Sequence, residues 1–125
     1  MSTKIHDLAS HILLGSGLPP QTITTTTNGP AADLLAGDGP CFAIQQVGNV
    51  SGTSPSLTGK IQESDNATSW TDVPGATFAP VITTGNYQAI TFTRSKRYVR
   101  YVGTVSGTSP SFAVAVVVSQ QKKQV

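Results

Sequence analysis

The chain has 125 residues, a formal net charge of +2 and only 11% charged residues. This length suits a single domain, and so small and scattered a charge excludes the basic footprint of a nucleic-acid-binding protein. No stretch approaches the roughly 18 apolar residues that a membrane span needs, and no secretory signal is recognisable. The many uncharged polar and β-branched residues favour β-structure.

The N-terminal residues 1–20 differ from the rest of the chain. Their large apolar side chains fall at helical spacing: Ile5, Leu8, Ile12 and Leu13. Glycines and prolines between residues 15 and 20 end any helix, and a helix this short needs a partner surface in water. We therefore predict an N-terminal arm over 1–20 that packs on a neighbouring subunit or on another protein. Folding back on its own domain is the alternative.

Residues 21–125 are predicted to form an all-β domain, an antiparallel β-sandwich or jelly roll. Short alternating segments are separated by turns every 8–12 residues, as in those folds. The segment 112–118 is nearly continuously apolar, which is typical of a central strand covered on both faces. The residues expected in the core are Phe42, Ile44, Leu57, Ile61, Trp70, Phe78, Ile90, Phe92, Val99, Phe112, Val114 and Val116.

An internal repeat is the clearest feature of this domain. The segment Val47–Leu57 recurs as Val102–Phe112, with differences only at Asn49/Thr104 and Leu57/Phe112. Gly and Pro punctuate each copy, so we predict two loops that join adjacent antiparallel strands in comparable positions. Two similar hairpins about a pseudo-twofold axis would satisfy this pattern.

One local concentration of basic residues stands between two predicted strands. It comprises Arg94, Lys96 and Arg97, followed by Arg100. Phosphate binding is one interpretation, and a solvated turn whose charges discourage strand-edge pairing is the other. Together with the apolar residues of the arm, Arg94, Lys96 and Arg97 are the candidate interaction residues.

No pattern of catalytic or metal-binding residues is recognisable. Glu63 and Asp65 share a turn, but a calcium site usually needs several more oxygen ligands. His6 and His11 are off the i, i+4 spacing that places two metal ligands on one helical face. The single cysteine, Cys41, excludes a disulfide within the chain and a cysteine-based metal site. We expect neither an enzyme nor a bound cofactor.

The aromatic residues suggest a second function. Trp70, Tyr87, Tyr98 and Tyr101 could form a sugar-stacking platform, although aromatic residues on strands commonly serve packing. Trp70 follows a turn that looks like those of β-sandwich and carbohydrate-binding modules. The pattern supports the fold more directly than it supports a ligand.

Several separated segments together resemble one family. These are residues 61–65, 68–76, 97–102, 106–112 and 121–123. In that order they look like the head-decoration, or cement, proteins of tailed bacteriophages, over about residues 41–123. Asn66-Ala67 departs from the more usual Asp-Gly turn, which leaves the type of hairpin open.

The resemblance implies a jelly-roll-like domain that binds the assembled capsid and stabilises it. Its implied partners are the major capsid protein and further copies of itself, in a homo-dimer or homo-trimer, without nucleic acid or membrane. Its implied location is the capsid exterior of the virion, after synthesis in the host bacterial cytoplasm. The alternatives are a glycan-binding module of a tail or fibre, and a tail or connector component.

Overall fold

The computed structural model describes residues 12–122, and these form one large antiparallel sheet that is not closed into a barrel. Its strands are β1 (Ile12–Ile23), β2 (Thr27–Asn28), β3 (Ala32–Asp33), β4 (Gly37–Ser64), β5 (Thr71–Thr77), β6 (Asn86–Phe92) and β7 (Tyr98–Lys122). Residues 12–122 contain no helix, hence none that could span a membrane. The predicted all-β antiparallel class is confirmed.

The two long strands, β4 and β7, organise the sheet. They pair from Gly37 opposite Lys122 to Ser64 opposite Tyr98. Half A comprises residues 37–50 and 112–122 of these strands, flanked by β6 and β1. Half B comprises residues 56–64 and 98–106, flanked by β5 on one side and by β2 and β3 on the other.

The two halves face each other across one core, so that the bent sheet is sandwich-like. The hydroxyl of Tyr101 in half B donates a 2.6 Å hydrogen bond to Gln45 in half A. Phe78 packs edge-on against Tyr101, with their ring centroids 6.1 Å apart. The buried apolar residues of both halves, including Leu57 and Val116, form one continuous cluster around this contact.

The repeat copies are not loops, because each lies within a long strand and the copies pair with each other. The ladder sets Val50 opposite Phe112, Ser51 opposite Ser111, Thr53 opposite Thr108, Ser56 opposite Ser106, and Leu57 opposite Val105. Replacing each residue by its equivalent in the other copy gives the same set of pairs. The two copies therefore occupy comparable positions, as predicted. The predicted hairpins are wrong because both strands bend at the same place, and the pairing therefore continues through the bend.

Each bend brings the backbones of the copies into close contact. Gly52 and Gly107 have φ of 114° and 116°, and Ser54 and Ser109 both have φ of 49°. A Cβ atom on Gly52 would lie 2.7 Å from the carbonyl oxygen of Ser109. Position 52 therefore requires glycine for two reasons: a side chain would collide with the other copy, and the positive φ is unfavourable for other residues.

Residues 12–20 belong to the sheet, so the helical spacing of Ile12 and Leu13 does not produce a helix. β1 pairs with residues 112–121 of β7, and Leu18 is buried against the core. Pairing with a long neighbouring strand overrides the helical spacing, and register shifts in β1 accommodate its glycines and prolines. The proposed arm–domain boundary at residue 20 falls inside β1, whereas Ile5 and Leu8 lie outside the described residues.

The predicted core is correct for most positions. The buried ones are Leu57, Ile61, Phe78, Phe92, Val99, Phe112, Val114 and Val116. Those that are not fully buried are the half-buried Phe42, Trp70 and Ile90 and the exposed Ile44. At the start of β4 the expected faces are reversed, because Gln45 points inward, where Tyr101 gives its amide a hydrogen-bond partner.

Candidate interaction surfaces

The outer face of half A is apolar. Three rows of side chains cross its strands: Leu14, Ser119, Phe42 and Thr91; Ser16, Val117, Ile44 and Ala89; and Ala115, Gln46 and Tyr87. Ser119, in the first row, is fully buried. Among them, Leu14 is 64% exposed, Ile44 40%, Tyr87 76% and Val117 41%. We call these rows the apolar face.

None of these rows contains a charged residue. The first charge along the strands is Asp38, which lies opposite Gln121 beyond the outermost row. At the other end, the face continues into a shallow groove lined by Pro20, Thr22 and Ala113. The apolar face is therefore a contiguous uncharged surface of the kind that marks a contact site for another molecule.

The outer face of half B has the opposite character. Lys60 Nζ lies 3.1 Å from Asp72 Oδ1, and Gln62 Nε2 donates a 2.9 Å hydrogen bond to the same carboxylate. Arg100 donates to Gln62 Oε1 at 2.9 Å, and its guanidinium lies 4.6 Å from the ring centre of Trp70. The hydrogen bond from Gln62, followed by that from Lys60, lowers the pKa of Asp72. We call these five residues the charged face.

A second ion pair lies at the β3 edge of half B. Arg97 donates from Nε and Nη2 to the two carboxylate oxygens of Asp33, at 2.9 and 2.7 Å. The hydrogen bonds from Arg97, together with one from the backbone N–H of Leu35, lower the pKa of Asp33 to about 2. The guanidinium also lies 5.0 Å from the ring centre of Tyr98. Arg97 thus fastens β3 to the start of β7.

Arg94 links the connection between β6 and β7 to the connection between β3 and β4. Its guanidinium donates to the carbonyl oxygens of Leu34, Lys96 and Gly37 at 2.6, 2.9 and 3.2 Å, and to Gln120 Oε1 at 2.8 Å. The two arginines of the basic cluster are therefore engaged by acceptors of the fold rather than free. Arg94 is occupied within the fold, Arg97 is paired but half-exposed, and Lys96 is half-buried.

The structure does not bring the aromatic residues into one platform. Tyr101 is buried in the core, and Tyr87 lies on the apolar face. Trp70 and Tyr98 belong to half B, and each has an arginine against its ring. A sugar could reach Tyr87 or a free ring face, but no stacking surface contains all of these side chains.

Glu63 and Cys41 both lie buried within the fold. Glu63 accepts hydrogen bonds from the backbone N–H and the hydroxyl of Ser95, at 2.8 and 2.9 Å. Cys41 is fully buried, and burial raises the pKa of its thiol. Within residues 12–122, no three metal-ligating side chains come together.

Sequence reasoning missed the apolar face, although the sequence contained a signal for it. The apolar run 112–118 predicted a strand covered on both faces, and Val117 lies on the face that is open. Ile44, its neighbour across the ladder, is a predicted core residue that is 40% exposed. No family model matches the chain, and no curated protein matches it significantly.

Proposed function

We propose that this chain is a virion structural protein that decorates the assembled head of a tailed bacteriophage and stabilises it by binding the major capsid protein. The resemblance over about residues 41–123 supplies the class of partner. The observation that carries the proposal is the charged face of half B, which holds arginine and aromatic side chains on a rigid sheet. In this proposal the charged face is the surface that contacts the capsid.

The side chains of the charged face are ordered before any partner arrives. Arg100 is held by Gln62 and by the ring of Trp70, and Asp72 is held by Lys60 and Gln62. Preordered side chains lose less conformational entropy on binding, which favours affinity. Arginine and tryptophan are also the residues that most often dominate the energy of a protein interface.

The long strands suit a protein that reinforces a shell. β4 and β7 run through both halves without interruption, so that the two outer faces are held in a fixed relative orientation. A rigid body bound to neighbouring capsid subunits resists their separation. An interface of the standard size, about 1,600 Å² in total, suffices for specific binding. Many copies on one shell raise the effective affinity further.

Binding to capsids tests this proposal directly. The full chain is mixed with heads assembled without it, and the bound fraction is measured by co-sedimentation over a range of concentrations. Arg100→Ala should weaken binding by about tenfold or more, as expected for an interface arginine. Asp38→Ala, an exposed charge at the end of half A, is the matched control and should bind like the unmodified chain.

Two results would overturn the proposal. One is the absence of binding to such heads at any concentration, and the other is cryo-electron microscopy of virions that places the chain on the tail only. Binding to glycans by a chain that ignores capsids would support the glycan-binding alternative instead. If capsids bind Arg100→Ala as well as the unmodified chain, the contact lies elsewhere than the charged face.

A further inference from the structure

The two faces of the half A sheet are unequally covered. Residues 112, 114, 116 and 118 of β7 are buried in the core, whereas Val117 between them is 41% exposed. Ile44, opposite Val117 on β4, is 40% exposed, and Ala89 continues the same row on β6. The sequence of this strand suits two covered faces, but its outer face is open at Val117, whereas Ser119 further along is fully buried.

We propose that the apolar face docks onto the apolar face of a second copy of this chain, sheet against sheet, about a twofold axis. The resemblance behind the proposed function implies further copies of the chain as partners, and in that respect the inference rests on the proposed function. The observations that identify the surface are independent of any capsid. They are the absence of charge, the shape of the rows and the area that they offer.

The absence of charge favours a second copy as the occupant. A partner that brought charged groups would bury them against Ile44 and Val117 without opposite charges, and nothing would compensate the lost hydration of those groups. Two copies of the apolar face have no charge to leave unpaired in the rows that meet. A twofold contact uses the same patch on both subunits, so the patch need only be complementary to itself.

The shape of the rows also permits self-contact. The larger side chains Ile44 and Val117 stand beside the small Ala89 and Ala115. Rotating one copy by a half-turn can set the ridge of one sheet into the hollow of the other, as in aligned sheets that pack about 10 Å apart.

The area predicts how strong the contact is. With strands about 4.8 Å apart and about 3.4 Å per residue, the rows span roughly 360 Å² per copy. Roughly 720 Å² in total is well below the standard interface, so we expect a weak dimer in solution, in the micromolar range or above. Copies held side by side on a larger assembly would have a much higher effective concentration and would pair there.

Sedimentation velocity of the purified full chain, without capsids, tests the inference. Between about 1 µM and about 1 mM, we expect a reversible monomer–dimer equilibrium. Ile44→Lys should raise the dissociation constant by about tenfold or more, since the new charge is buried at the centre of the contact. Thr104→Lys places the same side chain on an exposed outer position of half B and should leave the equilibrium unchanged.

Folding of each variant is checked by circular dichroism. If Ile44→Lys does not fold, Tyr87→Lys replaces it, because that side chain is 76% exposed and contributes little to the monomer. A chain that stays monomeric throughout the concentration range overturns the inference, as does a dimer that survives the lysine variants. Dimerisation that appears only after deletion of residues 2–11 also overturns it, because the chain's own N-terminal residues would then cover the face.

The outcome is separable from the test of the proposed function. A dimer sensitive to Ile44→Lys, in a chain that ignores capsids, supports the inference and rejects the decoration role. Capsid binding by a chain that is monomeric at all concentrations rejects the inference and supports the decoration role.

Discussion

Tyr101 and Gln45 form a hydrogen bond of 2.6 Å between the two halves of the sheet, at the centre of the core. Both side chains are fully buried. Burial raises the pKa of the Tyr101 hydroxyl, so that it remains a donor well beyond neutral pH. Within the described residues, Nε2 of Gln45 has no hydrogen-bond partner. The bond to Tyr101 is thus what makes an inward glutamine tolerable at this position.

Removing this hydroxyl should destabilise the fold. Tyr101→Phe leaves Oε1 of Gln45 buried without its donor, and we expect a loss of about 1–3 kcal/mol in the free energy of unfolding. Denaturation in urea measures this loss. In the double variant Tyr101→Phe, Gln45→Met both polar groups are absent, so it should lose less than the two single variants together. Additive losses would mean that the two groups do not interact.

Gly59 should be intolerant of a methyl group. A Cβ atom there would lie 2.5 Å from Cε1 and 2.7 Å from the hydroxyl of Tyr101. Gly59→Ala therefore overpacks the core, and we expect a loss of about 1–3 kcal/mol in unfolding free energy. Gly48→Ala is the control, because its Cβ would meet Ala113 at an ordinary 3.6 Å. Equal stability of the two variants would contradict the packing around Tyr101.

Phe92 should contribute more stability than any exposed aromatic residue on its strand. It is buried at the end of β6, whereas Tyr87, at the start of the same strand, is 76% exposed. Phe92→Ala should lose about 3–5 kcal/mol. Tyr87→Ala, measured in dilute solution, should stay within about 0.5 kcal/mol of the unmodified chain. A loss below about 1 kcal/mol for Phe92→Ala would place its ring on the wrong face of β6.

The Asp33–Arg97 pair should make stability sensitive to acid. The pKa of Asp33 is about 2 in the folded chain, below its usual 3.8, so the unfolded chain binds more protons between these values. The pair's contribution is therefore fully present above the unfolded pKa and is lost as the pH falls from about 4 to about 2. Urea midpoints of the unmodified chain and of Asp33→Asn should converge over this range. A constant difference between them would show that the charge of Asp33 contributes nothing.

Alternation along the chain predicted those parts of the fold in which one strand face is apolar and the other polar. Leu57 and Ile61 are inward as predicted, and Phe92 is buried. The prediction failed at Gln45, because the partner that makes its burial favourable lies far away in sequence. The helical spacing around Ile12 did not predict its strand for a related reason, since that strand depends on pairing with the end of β7.

The interaction surfaces were less predictable than the fold. Arg94 is a conspicuous charge in the sequence, but its contacts with Leu34 and Gln120 appear only when the strands are assembled. Conversely, Ile44 looked like a core residue because hydrophobicity does not tell which face of a sheet is covered. Only the register of β4 with β6 and β7 reveals that Ile44, Val117 and Ala89 form one row.

The pairing of two nearly identical segments has a consequence for folding. Copy 47–57 meets copy 102–112 in the native ladder, but either copy of another molecule would present almost the same side chains. Local sequence therefore distinguishes poorly between pairing within a chain and strand exchange between chains. The choice depends on the flanking strands and on the high local concentration within one chain. Refolding at high protein concentration should accordingly favour exchanged dimers, whose strands pair in the native register.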